Sequence, residues 1–387
     1  MNPNENLTER SIIKKYLLVA QKISSIIPGF LLAVIISIGA VYFRKAIICI
    51  SPGLGKGLSQ ILLTIILGLI IGNLFKIPDM FNPGIKFCVV KILRLGIILM
   101  GIRLSLFAMA KIGLLSAGLV IACISAGLFI TALVVKKLGI SGRLGTLIAA
   151  GTGICGVSAI IAISPGINAT EEETSYAVGI ITLFGVFATF FYPYLTHSIL
   201  SLSTIQSGLF MGTAIHDTSQ VTGAGLIYDQ LWADGNTHLS AADIAITVKM
   251  VRNLFMLFVI PLLSFLYVKK ETGNAGTVKT QKLKSFFPVF LIGFVFMALV
   301  RTIGDHLILN KNPWCTHETW IWYCESQKQW AEYILAIALS GVGLNTKFSK
   351  LKILGIKPVL AGFSAAVSVG LASFILIKIL APYLITL

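Results

Sequence analysis

The sequence predicts an all-α polytopic membrane protein of about eleven transmembrane helices, built as inverted five-helix repeats with two broken crossing helices. Three observations carry that class. Of 387 residues, 56% are hydrophobic and 12% charged, with a mean hydropathy of +0.90. Apolar runs of about 20 residues, each long enough to cross a bilayer, recur from residue 27 onward. The lysines and arginines behind the net charge of +16 sit mostly between those runs, which is a topology signal and not a phosphate-binding face. The expected partners are therefore the lipid bilayer and a small solute, with no nucleic acid.

Residues 1–26 are polar and mixed in charge, with no apolar core before a small-residue cleavage site. They are expected as a cytoplasmic N-terminal tail and not as a cleaved signal. Spans follow near 27–43, 57–74, 87–103, 112–135, 144–164, 174–197, 205–226, 241–268, 285–301, 329–345 and 354–384. Counting them gives an extra N-terminal helix (27–56), a first repeat (57–200) and a second (201–387). An odd number of helices per repeat inverts the second in the membrane.

Basic residues set the orientation. Lys136, Lys137 and Arg143 follow span four, Lys269, Lys270, Lys279, Lys282 and Lys284 follow span eight, and Lys347, Lys350, Lys352 and Lys357 follow span ten. These connections share a side with Arg10, Lys14, Lys15 and Lys22, so both they and the N-terminus are expected in the cytoplasm and the C-terminus outside. Arg44, Lys45 and Lys56 fall on the outer side against this trend. Arg94 and Arg103 read as interfacial anchors of span three. Thr170-x-x-Glu173 reads as a capping box opening span six.

The loop 310–327 falls outside the cytoplasm, where Cys315 and Cys324 could form a disulfide. No cysteine spacing suggests a metal site, and no cofactor is implied.

Chemistry concentrates where polar groups interrupt apolar runs. Gly151-Thr152-Gly153-Ile154-Cys155-Gly156-Val157-Ser158 divides span five into two half-helices. Backbone that leaves a helix at membrane depth must be buried in protein or line a cavity. A helix starting near Cys155 or Gly156 would offer free N–H groups to an anion, with hydroxyls from Thr152 and Ser158. Ser340, Gly341 and Asn345 are expected to form the matching break in span ten. Lys249 and Arg252, three residues apart on one face, call for an anionic partner: Asp243, Asp217 or a bound substrate. Asn253 lies beside them. His216 and Asp217, inside span seven, suit proton coupling, while Asp217 equally suits a helix cap.

Two internal echoes are present. Residues 99–105 resemble 339–345, and 151–158 resemble Gly212-Thr-Ala-Ile-His-Asp-Thr-Ser219. Their offsets differ, so both cannot belong to one tandem repeat.

Gly151-Thr-Gly-Ile-Cys-Gly-Val-Ser158, Ile215-His-Asp-Thr-Ser-Gln-Val221 and Val248-Lys-Met-Val-Arg-Asn253 resemble the hallmark segments of the bacterial sulfate exporter family of inner-membrane proteins. The resemblance runs from span two to span eleven. Ser219 departs from it, standing where family members usually carry alanine. The resemblance implies a relation to bile-acid/sodium symporters and cation/proton antiporters. It also implies two broken helices crossing at the midplane, a core domain moving against a panel domain, and often a homodimer. Residues 151–158 would be one crossing helix.

The expectation is a proton-coupled secondary transporter of a small inorganic or sulfur-containing anion, working by alternating access and not an enzyme. Two alternatives stay open. One is a cation/proton antiporter using Asp217 and Asp243. The other is a membrane enzyme or sensor using Cys155, His216 and Asp217.

Overall fold

The computed structural model describes residues 3–51, 58–232, 239–272, 290–309, 316–347 and 355–384. Every regular element among them is helical, with no strand. The helices are α1 (Pro3–Ile50), α2 (Gln60–Leu74), α3 (Asn82–Phe87), α4 (Leu93–Met100), α5 (Leu106–Leu138), α6 (Gly142–Gly153), α7 (Val157–Ile163), α8 (Glu171–Tyr194), α9 (Thr204–Ala214), α10 (Thr218–Trp232), α11 (Ala241–Leu254), α12 (Met256–Thr272), α13 (Phe290–Leu309), α14 (His317–Asn345) and α15 (Ile356–Leu384).

Among the described residues, five helical stretches are long and apolar enough to cross a membrane by themselves: Ile23–Ile50, Leu106–Leu138, Glu171–Ile199, Phe290–Ile308 and Ile356–Leu380. A sixth is formed by α11 and α12 if that pair, bent by 42°, is one span. This is an all-α membrane protein. Residues 3–26 differ from the expected tail, being continuous with the rest of α1. The reason is local: no glycine or proline interrupts residues 4–27, so nothing stops the helix before the apolar run.

By contact the chain divides into two units, one of residues 1–96 with 332–347, the other of residues 97–331 with 348–387. In the first, α1, α2 and α3 pack with the end of α14 around Ile36, Ile85 and Leu344. The approach of α2 to α14 is set by glycine. A Cβ on Gly68 would lie 2.6 Å from the Ser340 carbonyl oxygen, and one on Gly343 would lie 2.5 Å from that of Ile65. Small residues give membrane helices this proximity. Ser340 Oγ donates to the Ala33 carbonyl (2.9 Å), and Asn73 Nδ2 to that of Thr346 (2.8 Å).

The expected second break in span ten is absent, since α14 runs through Ser340 and Gly341 to Asn345. Its polar and small residues serve close packing within the first unit. Their glycine pattern is shared by helix breaks and tight helix contacts, which is why the two readings looked alike.

In the second unit α11 lies at the centre, packed by α9, α10 and α5, and residues 241–250 are all buried. A separate apolar cluster joins α6, α7, α8, α12 and α15 through residues such as Leu147, Ile160, Ile181, Met256 and Ala361. Caps fix the helix starts. Thr170 and Glu173 form the expected reciprocal box on α8, and Ser240 caps α11 by accepting from Asp243 N (3.2 Å). Gly139, at φ 65°, ends α5 in a left-handed turn that reverses the chain into α6.

Candidate functional site

Two chain breaks meet in the second unit. The first separates α6 from α7: Ile154 leaves the helix at φ −120°, ψ −89°, and Gly156 adopts φ 70°, ψ −130°. Only glycine occupies that region without strain. The second separates α9 from α10, where Ile215 is extended at φ −82°, ψ 142°. The breaks touch, because a Cβ on Gly156 would stand 3.4 Å from Asp217 N, Cα and Cβ. The segments echoing one another at 151–158 and 212–219 are therefore the two halves of one structure.

α11 ties them together. Lys249 and Arg252 are both fully buried, with 0% exposure. Lys249 Nζ donates to the carbonyls of Ile154 (3.2 Å), Ile215 (3.0 Å) and His216. Arg252 donates through Nε to Gly153 O (3.2 Å) and through Nη2 to Thr152 O (2.5 Å). Its Nη1 reaches Thr213 O (2.6 Å) and Ile215 O (3.1 Å). These carbonyls are the ones left open where α6 and α9 stop, at the negative ends of both helix dipoles.

Asp243 and Asp217, the acids expected to pair with these cations, are engaged elsewhere. Asp243 forms an ion pair with Arg103 (Nε to Oδ1, 2.9 Å). Arg103 is thus an internal partner of α11 instead of an interfacial anchor. Asp217 Oδ1 accepts from Ser219 N (2.9 Å) and Ser219 Oγ (2.6 Å), while Asp217 N donates to Gln220 Oε1 (3.2 Å). Asp217 is the cap of α10. Ser219 supplies both bonds to Asp217 Oδ1, one through its N–H and one through its hydroxyl. Neither Lys249 nor Arg252 has an ion pair among the described residues.

The other expected residues divide. Thr152 and Gly153 are buried at the break and contribute main-chain oxygens, because the Thr152 hydroxyl is spent on its own helix at Ile148 O (2.5 Å). The Cys155 thiol lies 3.2 Å from the Met256 sulfur, in the apolar cluster. Ser158 is exposed, so its hydroxyl leaves the expected donor set. His216 is buried with Nδ1 unpartnered, and Asn253 has Oδ1 unpartnered while Nδ2 reaches Thr218 Oγ1 (3.4 Å). Ser340, Gly341 and Asn345 belong to the first unit. Cys315 lies outside the described residues.

Sequence reasoning gave Asp229 no role at the site. Its carboxylate accepts from Ala241 N (2.8 Å) and Ala242 N (3.2 Å), so it seats the start of α11. It lies beyond the apolar run 205–226. Burial and the neighbouring Asp243 push its carboxyl up to about 6, against the lowering effect of Arg103, the Ser240 hydroxyl and the Ala242 N–H. An aspartate 12 residues ahead of a helix carries no local signal for this role.

The model of the family described as conserved hypothetical protein 698 matches residues 28–362. The chain belongs to this family. Among relatives of this conserved family, the UPF0324 membrane protein FN0533 of Fusobacterium nucleatum is 33% identical over 322 residues, covering 82% of this chain and 89% of its own. The UPF0324 membrane protein SAG1125 of Streptococcus agalactiae is 30% identical over 357 residues, or 92% and 98% of the two chains. BH02290 of Bartonella henselae, of the same description, is 31% identical over 372 residues, covering 95% and 96%. No solved structure matches the chain. The family is one of membrane proteins, and a membrane location follows for this member.

Proposed function

We propose that this protein is a secondary active transporter of a small inorganic or sulfur-containing anion, sulfate-like and proton-coupled, working by alternating access in a bacterial inner membrane. The observation that carries the reading is the fully buried Lys249–Arg252 pair, which meets both chain breaks without a carboxylate in ion-pair contact. Burying charge is costly unless it is compensated.

The charges can be tallied roughly. The C-terminal ends of α6 and α9 supply about half a negative charge each, and the starts of α7 and α10 about half a positive charge each. Asp217 adds one negative charge and the two cations add two positive ones. The sum is about +1, which an anion would neutralise. One of the five Arg252 N–H groups is unspent in the bonds above. His216, with its free Nδ1, is the proton carrier in this reading. The orientation proposed is N-terminus in the cytoplasm and C-terminus outside.

The test is uptake of labelled sulfate into liposomes holding the purified protein, with and without an imposed pH gradient. Other small anions serve as competitors. Gradient-dependent uptake that disappears in folded Arg252→Ala is expected. If folded wild-type protein gives no flux and no competition, the anion reading fails. The cation/proton antiporter then stands next, resting on half-buried Asp217 at the meeting of the breaks. It requires cation-dependent proton flux that Asp217→Asn abolishes.

A further inference from the structure

The surroundings of Lys249 are those of a cation site. An ammonium has three donors and no acceptor, and here all three are met by main-chain carbonyls, those of Ile154, Ile215 and His216. The oxygens come from both chain breaks, and unwound carbonyls at half-helix ends are also how membrane transporters hold a free monovalent cation. The Ile215 oxygen is shared with Arg252 Nη1. With its donors spent, the Lys249 ammonium contributes charge to the site while Arg252 keeps a donor for a ligand.

We propose that Lys249 is a tethered cation, its ammonium filling a carbonyl-lined monovalent-cation site formed by the two broken helices. Shortening the side chain to Cβ opens that site to a free cation. An alkylammonium is the best filler, since propylammonium carries three carbons and one ammonium nitrogen, the number that Lys249→Ala removes. The consequence for coupling, that transport needs no sodium, rests on the transporter reading; the occupancy of the site does not.

The test is therefore a binding measurement. Purified full-length Lys249→Ala and wild-type protein are melted in choline buffer with increasing propylammonium, sodium or tetramethylammonium. A ligand that binds only the folded state raises the melting temperature with the logarithm of its concentration. Propylammonium and sodium are expected to raise the melting temperature of Lys249→Ala and leave wild type unchanged. Tetramethylammonium, whose four methyl groups keep its nitrogen from the carbonyl oxygens, is expected to do nothing to either. Folded Lys249→Ala that ignores both propylammonium and sodium overturns the proposal, as does an equal rise in wild type. If Lys249→Ala does not fold in choline, the comparison is read as the yield of monodisperse protein purified in propylammonium against choline. Recovery supports the tethered cation, and equal loss in both overturns it. Failure of sulfate uptake would leave these outcomes unchanged. In the uptake assay, replacing all sodium by choline is expected to leave wild-type flux intact.

Discussion

Gly156 and Asp217 are the point where the two chain breaks meet, with Asp217 backbone atoms 3.4 Å from where a Gly156 Cβ would be. That spacing is an ordinary van der Waals contact, so a methyl group fits. The backbone does not tolerate it, because φ 70°, ψ −130° is a glycine conformation. Gly156→Ala should cost about 1–3 kcal/mol through strain alone. Thermal melting checks the loss, and a neutral result would mean that the break relaxes freely.

Asp217 caps α10, and asparagine caps as well as aspartate. Asp217→Asn should change stability by less than about 1 kcal/mol, and Asp217→Ala should lose about 0.5–2 kcal/mol. If His216 carries the proton, Asp217→Asn keeps uptake driven by a pH gradient while His216→Gln loses it. The opposite pattern would move coupling to the carboxylate.

Arg252 presents a planar fork to four carbonyl contacts from both breaks. Lysine cannot reproduce that geometry. Arg252→Lys is expected to remain folded more often than Arg252→Ala, yet lower sulfate uptake at least about tenfold, equivalent to roughly 1.4 kcal/mol. Uptake at several sulfate concentrations separates weaker binding from slower turnover.

The Arg103–Asp243 pair is 15% and 5% exposed. Removing Arg103 leaves the 5%-exposed Asp243 carboxylate beside Asp229 without its guanidinium, at about 3–5 kcal/mol, whereas removing Asp243 leaves Arg103 beside the Asp229 carboxyl. Arg103→Leu should destabilise strongly and Asp243→Leu less, since Arg103 keeps Asp229 as a neighbour, and the double substitution should recover part of the Arg103→Leu loss. A double-mutant cycle on melting temperature measures the coupling.

The raised carboxyl of Asp229 makes a pH prediction. A native value of about 6, above the ordinary 3.8, means that the folded state holds this proton more tightly than the unfolded one. Its favourable contribution is complete below about pH 4 and is lost as pH rises through 6. Asp229→Asn, which keeps an acceptor at α11, should therefore gain stability relative to wild type between pH 4 and 7. Melting curves of the two proteins across that range would reveal a flat difference if the carboxyl titrates normally.

The break at 151–158 was legible because its glycines interrupt an apolar run, and the capping box at Thr170 because its signature is local. The partner of that break was harder to read. Residues 212–219 echo it, but span counting pointed instead to 340–345, where the glycines serve helix packing against Gly68. The partners of Lys249 and Arg252 could not be read at all, since every residue carries a carbonyl and no side chain marks the ones in use. The Arg103–Asp243 pair spans 140 residues, a distance over which a single sequence carries no pairing signal.

Because Lys249 and Arg252 are held by main-chain oxygens, the acceptor half of this centre is invisible to side-chain mutagenesis. Replacing Ile154 or Ile215 by another apolar residue leaves the oxygen in place. A substitution scan of both breaks would thus score shape and strain, and never the bonds themselves. Only α11 exposes the arrangement to heritable change, through two positions one helical turn apart. The donor half of these bonds rests on two side chains, so tolerated substitutions at the residues that lend their carbonyls would say nothing against the centre's importance.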